Sequence, residues 1–375
     1  MTIHWCGTGL SAIPGLRRLI EAGHEVTVWN RTPDKARDAV GDLTQRIHAF
    51  DIDTLAAEVQ AEDVIVSMLP GDWHVPLAEL AIAKGAHFVS SSYISPEMKG
   101  LHAKAQIKGV SLVNEVGLDP GIDHLLAHAL VSDYRASPRC DASNALKFLS
   151  YCGGVPKHPN PFRYKFSWSP LGVLKALKSP SKSIRDFREF NAPRPWDALG
   201  HYSAPLPSEE TFEVYPNRDS LPFIEEYRFD PTWRIDTFVR GTLRLNGWAE
   251  AWKDVFAEVE TASDARLKEM SDTFWAENAY DEGEPDRVVL CVSLEASDAS
   301  GTVWHKTYVM DAWGDDRGSA MARLVSVPVS LAVEAAMAGQ LPAGVQAAPS
   351  EPAMVQEWLA EVGRLAQHLD VVDHT

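Results

Sequence analysis

Over residues 1–115 the chain alternates short Val- and Ile-rich runs with stretches of helical period. Residues 1–6, 25–30, 47–52, 63–69, 87–91 and 111–115 read as strands, and residues 12–22 and 34–40 are among the helices between them. Parallel neighbours need a crossover element, so this alternation predicts an α/β fold with a Rossmann-type, doubly wound parallel sheet. After Gly121 the period changes. Residues 146–151, 287–294 and 302–310 read as strands of a second, α+β domain. A stretch rich in Trp, Pro and Arg at about 157–217 predicts a helical or irregular insertion. Residues 319–339 are helical again, and the acidic tail beyond Glu351 also reads as helix. The expected division is a discontinuous dinucleotide-binding domain, 1–120 with 318–375, around a substrate-binding domain at 121–317, to which analogy adds dimerisation.

Charge and cysteine content narrow the function. The chain has 375 residues and a formal net charge of −17, which argues against a nucleic-acid partner. Its four cysteines, Cys6, Cys140, Cys152 and Cys291, form no C-x-x-C pair and suit a reducing compartment. No basic, apolar leader pattern and no apolar run of about 18 residues stand out. The expectation is a soluble cytoplasmic protein without a membrane partner.

The first strand ends in Gly7-Thr8-Gly9-Leu10-Ser11-Ala12, directly before a helix. Gly7 permits the tight turn, Gly9 lets backbone amides approach a pyrophosphate, and Ala12 takes the third glycine's place. The helix start then favours phosphate charge. The second strand ends not in an acid but in Asn30-Arg31-Thr32. Arg31 can pair with a 2′-phosphate and Thr32 can add a hydrogen bond, which favours NADP over NAD. Nearby Asp34 weakens that preference.

Asn114 to His124 compresses a strand end, a Gly-Leu-Asp-Pro-Gly turn and a helix start into one segment. The turn delivers Asp119 to the carboxyl edge of the sheet, where open α/β folds bind ligands. His124 and His128 are four apart on a helix, but no H-E-x-x-H pattern or third ligand accompanies them. They read as ordinary helix residues, and no metal is expected. His74, after the fourth strand, reads as a loop residue near the nicotinamide position.

Further motifs carry a resemblance. They are Ser91-Ser92-Tyr93-Ile94-Ser95-Pro96, Phe148-Leu149-Ser150-Tyr151-Cys152-Gly153-Gly154, Tyr215-Pro216-Asn217-Arg218-Asp219 and Arg240-Gly241-Thr242-Leu243-Arg244. With Tyr164-Lys165-Phe166-Ser167-Trp168-Ser169, Asp281-Glu282-Gly283-Glu284 and Ser319-Ala320-Met321-Ala322-Arg323, they resemble the saccharopine dehydrogenase family nearly end to end. The resemblance is closest to its glutamate-forming branch. It implies oxidation of saccharopine at the lysine-derived ε-carbon, hydrolysis of the resulting imine, and release of glutamate and 2-aminoadipate semialdehyde. The reaction is reversible.

The resemblance also implies roles. Asp119, Tyr93 and Cys152 would surround the reacting centre, where imine hydrolysis needs proton transfer. Gly153 and Gly154 would let a ligand approach Cys152 closely, although a buried free cysteine is commonly a core residue. Three substrate carboxylates call for forked arginine contacts. Arg218 and Arg240 are the candidates, with donors from Gly241, Thr242, Ser92 and Tyr93, whereas Arg244 reads as structural. Cofactor contacts are expected from Gly7, Thr8, Gly9, Leu10, Asn30, Arg31 and Thr32. Asp51, Ile52, Ser91, Ser92, Leu118, Asp119 and Pro120 complete that set. A homodimer is implied by analogy. Two other readings stay open: an imine reductase of polyamine synthesis acting on carboxyspermidine-type substrates, and a non-catalytic dinucleotide-binding regulator. The first-loop sequence and residues 185–208 depart from the family pattern, which touches cofactor and substrate preference.

Overall fold

Seven short strands build one all-parallel sheet, in the order Gly344–Gln346, Ser111–Val113, His87–Ser90, Val64–Ser67, Ile3–Cys6, Val26–Asn30 and Ile47–Ala49. The structure is a computed structural model that describes all residues from Met1 to Thr375. It divides into two units, Met1–Leu125 with Ala322–Trp358 and Leu126–Met321 with Leu359–Thr375. In the first unit the strand order reverses at Ile3–Cys6, whose neighbours are Val26–Asn30 and Val64–Ser67. Such a switch point opens a crevice at the carboxyl ends of the strands. The central strands are buried on both faces: Ile3, Trp5, Val28, Ile65 and Val66 are all 0% exposed. That is why they read as continuous apolar runs rather than as alternation.

Gly15 lets the helix Ile13–Glu21 pack closely on a second helix. A Cβ there would lie 1.9 Å from the carbonyl oxygen of Ser326, and its amide donates to Ser326 Oγ at 2.8 Å. Ser326 belongs to the helix Ala320–Met337. That helix is long and apolar enough to cross a membrane by length and composition, contrary to the sequence reading. It is a core helix: Leu324, Val329, Ala332 and Val333 are 0% exposed.

The second unit holds a mixed sheet of nine strands. Its path runs Gly200–Ala204, Glu210–Pro216, Arg234–Leu245, Ala145–Pro156, Asp286–Asp298, Gly301–Trp313 and His368–Asp373. Arg234–Leu245 and Ala145–Pro156 pair in parallel, and the other neighbours are antiparallel. Two sequence readings are corrected here. The 157–217 stretch contains the helix Pro170–Leu177 and four strands, Ser181–Arg185, Arg188–Ala192, Gly200–Ala204 and Glu210–Pro216. The first two form a polar hairpin turning at Asp186 and Phe187, both at positive φ. Their pairing comes from cross-strand partners and not from an apolar alternation. The chain end also differs from the assigned boundary, because Leu359–Thr375 lies in the second unit and His368–Asp373 pairs with Gly301–Trp313.

Candidate functional site

The glycine loop separates two demands. Gly7 sits at φ 105°, and a Cβ there would meet the carbonyl oxygen of Met68 at 2.7 Å. The protein itself therefore requires Gly7. Around Gly9 no protein atom lies within 4 Å of a Cβ position, which leaves room for a ligand. Asn30 ties this loop to the end of the second strand: Thr8 N donates to Asn30 Oδ1 at 3.3 Å, and Asn30 Nδ2 donates to the Thr32 carbonyl at 2.8 Å. The Thr8 hydroxyl is buried without a protein partner. The following helix, Ile13–Glu21, has no capping side chain and no acid in its first turn. An unpartnered hydroxyl beside an uncapped helix start suits a phosphate.

Leu10, Arg31 and Thr32 are exposed, and Arg31 makes no ion pair. Asp34, which could have neutralised Arg31, is bound to Arg37 instead. Asp51 caps the helix Ile52–Glu58, accepting from Thr54 N at 2.8 Å and Thr54 Oγ1 at 2.7 Å. Those bonds hold its carboxyl below the usual range.

At the carboxyl ends of Val64–Ser67 and His87–Ser90 lies a second cluster. His74 is not a loop residue; it opens the helix His74–Lys84 and is 8% exposed. Its ring bridges Ser67 Oγ at Nδ1 and Ser92 Oγ at Nε2, each at 2.8 Å. Burial pushes its pKa down to about 4, so the ring is neutral. The adjacent Tyr93 donates its hydroxyl proton to Asp119 Oδ1 at 3.2 Å. Glu115 holds this segment, its amide donating to the Ser92 carbonyl at 3.0 Å and its Oε1 accepting from Ile94 N at 2.8 Å.

The Gly117–Gly121 turn closes on itself. Gly117 N donates to the Pro120 carbonyl, and Ile122 N to the Gly117 carbonyl, both at 2.9 Å. A Cβ on Gly121 would lie 2.2 Å from the Gly117 carbonyl oxygen. Leu118 and Pro120 are buried; Asp119 is the one residue between 110 and 131 that is not. The turn thus spends its neighbours on packing and presents a single carboxylate.

Beneath it, His124 is no ordinary helix residue. Fully buried, it contacts Glu115 Oε2 at 2.9 Å and Asp123 Oδ2 at 3.4 Å. Burial opposes its charge, but Asp123 and Glu115 outweigh it and raise its pKa to about 9. Asp123 Oδ1 accepts from Gly121 N at 2.7 Å, so this charged triad also fastens the turn. His128 lies edge-on to Tyr227, with centroids 5.8 Å apart.

In the second unit, Cys152 is buried mid-strand, in register with Thr242 on one side and Leu290 on the other. The expectation that Gly153 and Gly154 make room for a ligand is corrected. Cβ atoms there would lie 2.4 Å from the Leu243 carbonyl oxygen and 2.7 Å from Met321 Cε. Gly241 is likewise required by the Tyr215 carbonyl and the Tyr151 ring, at 2.6 and 2.7 Å from its Cβ position. Neighbouring strands fill the places at Gly153 and Gly241, and a helix side chain, Met321, fills the one at Gly154.

Arg240 is buried, with its guanidinium carbon 3.9 Å over the Phe223 ring. Asn217 N donates to the Arg240 carbonyl at 2.9 Å, which joins the turn carrying Arg218 to Arg240's strand. Arg218 itself is exposed, at φ 54°. Arg244 is enclosed by the rings of Tyr164, Trp248 and Tyr215, at 4.8, 5.4 and 5.6 Å. The half-buried Thr242 lies between Arg240 and Arg244 in the same strand.

Sequence reading did not assign functions to Ser67, Glu115 or Gly15, and it undervalued His74 and His124. Gly15 had no motif signal, since Ala12 holds the third position of the glycine fingerprint. The two histidines had none either, because nothing in the residue pattern says which way each ring turns or which carboxylates or hydroxyls it meets.

A doubly wound sheet with a glycine loop at its switch point, joined to a large mixed sheet, defines a two-domain dinucleotide-binding protein. Residues 5–113 match the saccharopine dehydrogenase NADP binding domain, and residues 117–365 match the saccharopine dehydrogenase C-terminal domain. The chain belongs to the saccharopine dehydrogenase family. It is 30% identical to the saccharopine dehydrogenase [NADP(+), L-glutamate-forming] of Pyricularia oryzae, across 89% of this chain and 90% of that one. The structure of the apo saccharopine dehydrogenase (L-Glu forming) of Saccharomyces cerevisiae matches with a TM-score of 0.81 and 26% identity, over 99% of each chain. The homospermidine synthase of Legionella pneumophila in complex with NAD shares the fold, with a TM-score of 0.65 and 10% identity over 99% of this chain and 91% of that one.

Proposed function

We propose that this chain is a glutamate-forming saccharopine dehydrogenase, an NADP-dependent oxidoreductase acting on the CH–NH group of saccharopine. The observation that carries the reading is the Tyr93–Asp119 hydrogen bond at the carboxyl edge of the nucleotide-binding sheet. It sits in a chain alike over most of its length to an enzyme named for that reaction.

The residues fit the cofactor. Gly7, Thr8, Gly9 and Leu10 would take the pyrophosphate, and the unpartnered Thr8 hydroxyl supports that. Asn30, Arg31 and Thr32 would hold the 2′-phosphate side; an arginine free of carboxylates supports NADP over NAD. Asp51 and Ile52 would border the adenine side, and Ser91, Ser92, Leu118, Asp119 and Pro120 the nicotinamide side. When bound, NADP⁺ accepts a hydride from the carbon next to the substrate nitrogen.

The chain's own groups manage protons and carboxylates. Asp119 receives the proton of the substrate amine and returns it as the carbon–nitrogen bond is hydrolysed. Tyr93, hydrogen-bonded to Asp119, steadies that carboxylate and offers a phenol to the substrate. Cys152 is the third proposed proton-handling group. Arg218 and Arg240 bind substrate carboxylates, aided by Gly241 and Thr242; two arginines, one on the turn that Asn217 N ties to the Arg240 carbonyl, favour a polycarboxylate over a carboxyspermidine-type amine.

The protein would work in the cytoplasm, as its four free cysteines suit. It would form a homodimer, for which His368–Asp373 offers an open sheet edge. One assay tests the reaction. Saccharopine with NADP⁺ should raise the absorbance of reduced cofactor and release glutamate, and NAD⁺ should support a slower rate. Lysine as the product would overturn the assignment.

A further inference from the structure

We propose that His74 is a positioning residue: with Ser67 it leaves Ser92 a free hydroxyl proton, so Ser92 donates to an acceptor oxygen on a bound ligand. The argument is a count of donors. Ser67 is 0% exposed, and the only partner of its hydroxyl is His74 Nδ1 at 2.8 Å. If Nδ1 carried the ring proton, the Ser67 hydroxyl proton would be stranded in the interior, at a cost of about 1–3 kcal/mol. Ser67 therefore donates to Nδ1, and the proton of the neutral ring sits on Nε2. Nε2 then donates to Ser92 Oγ at 2.8 Å.

The Ser92 oxygen is thereby an acceptor toward His74, and no protein group takes its proton. Ser92 is half-buried, so a ligand can reach it. Its backbone is fixed on both sides, with N donating to Ser90 Oγ at 3.1 Å and O accepting from Glu115 N at 3.0 Å. It directly precedes Tyr93, which is bonded to Asp119. The acceptor is a carbonyl or carboxylate oxygen, supplied by the cofactor's carboxamide or by a substrate acid group. The substrate arm rests on the function proposed above; the cofactor arm does not.

The test compares Ser92→Ala, His74→Ala, His74→Gln and the Ser92→Ala/His74→Ala pair. It measures the NADPH dissociation constant, the saccharopine KM and kcat from pH 6 to 9, and checks folding by thermal melting. Ser92→Ala should cost about three- to tenfold. A loss in NADPH affinity assigns the acceptor to the cofactor, and a loss in saccharopine KM alone assigns it to the substrate. His74→Ala should lose in the same arm, and the pair should be no worse than either single variant. His74→Gln, which keeps a donor, should recover part of the loss. The shape of the pH profile should not change. Nitrogen-15 histidine spectra should show a bare Nδ1 and a protonated Nε2.

The opposite tautomer, or Ser92→Ala without effect in either arm, overturns the inference. So does the loss of a pH limb in His74→Gln, which would make His74 an acid–base group. If the unaltered chain binds NADPH but leaves saccharopine untouched, the proposed reaction fails. The tautomer and the NADPH arm then still decide the role of His74.

Discussion

The two units place polar chemistry on different parts of a sheet. In the first, every strand is five residues or shorter, and the candidate groups stand on the turns at the carboxyl edge. In the second, the strands reach 12 and 13 residues, and Cys152, Arg240, Thr242 and Arg244 lie within them. A group on an edge turn can be changed with little harm to the ladder beneath it. A group inside a long strand shares its place with packing. The glycines show the same division: Gly9 borders open space, whereas Gly153 and Gly241 fit against neighbouring backbone.

The largest expected effect belongs to the edge. Asp119→Asn should lower kcat by about 10²- to 10⁴-fold, lower NADPH affinity far less, and leave the melting temperature nearly unchanged. Steady-state rates beside a fluorescence titration check this, and unchanged turnover would remove Asp119 from the chemistry. Gly153→Ala should behave in the opposite way. It should cost about 2 kcal/mol of stability, because its Cβ must displace strand backbone, as read by denaturant unfolding. A raised KM at full stability would restore the ligand-approach reading of that glycine.

The buried histidines of the first unit give a pH signature. His124 has its pKa raised from 6.5 to about 9, so its contribution is complete below 6.5 and is lost as pH climbs through 9. The full span is roughly 3 kcal/mol. Melting curves should fall over that window, and His124→Gln should flatten them. His74, lowered to about 4, works in the other direction: its contribution is lost as pH drops from 6.5 toward 4. The smallest effect is expected at Arg31. Arg31→Ala should raise the KM for NADP⁺ about tenfold and hardly alter that for NAD⁺; equal changes for both would break the assignment of the 2′-phosphate.

Legibility in the sequence followed the same division. The edge motifs are local. Gly7-Thr8-Gly9 and Gly117 to Gly121 carry their geometry in adjacent residues, and the structure places both at strand ends. The 157–217 strands escaped notice because Ser181–Arg185 and Arg188–Ala192 are polar on their own and pair with each other, with Arg234–Leu245 and, at Lys182, with Asp219. The strand His368–Asp373 was read as helix for a similar reason: its partner lies more than 50 residues earlier.

The sequence by itself determined the parallel α/β class, the glycine loop and the turn that carries Asp119, since backbone geometry and apolar period are properties of neighbours in the chain. Tertiary structure alone decided that His124 is a buried cation and His74 a neutral bridge, although both are the same residue type at helix starts. Their protonation depends on which groups the folded chain brings within reach of each ring: two carboxylates for His124, two hydroxyls for His74.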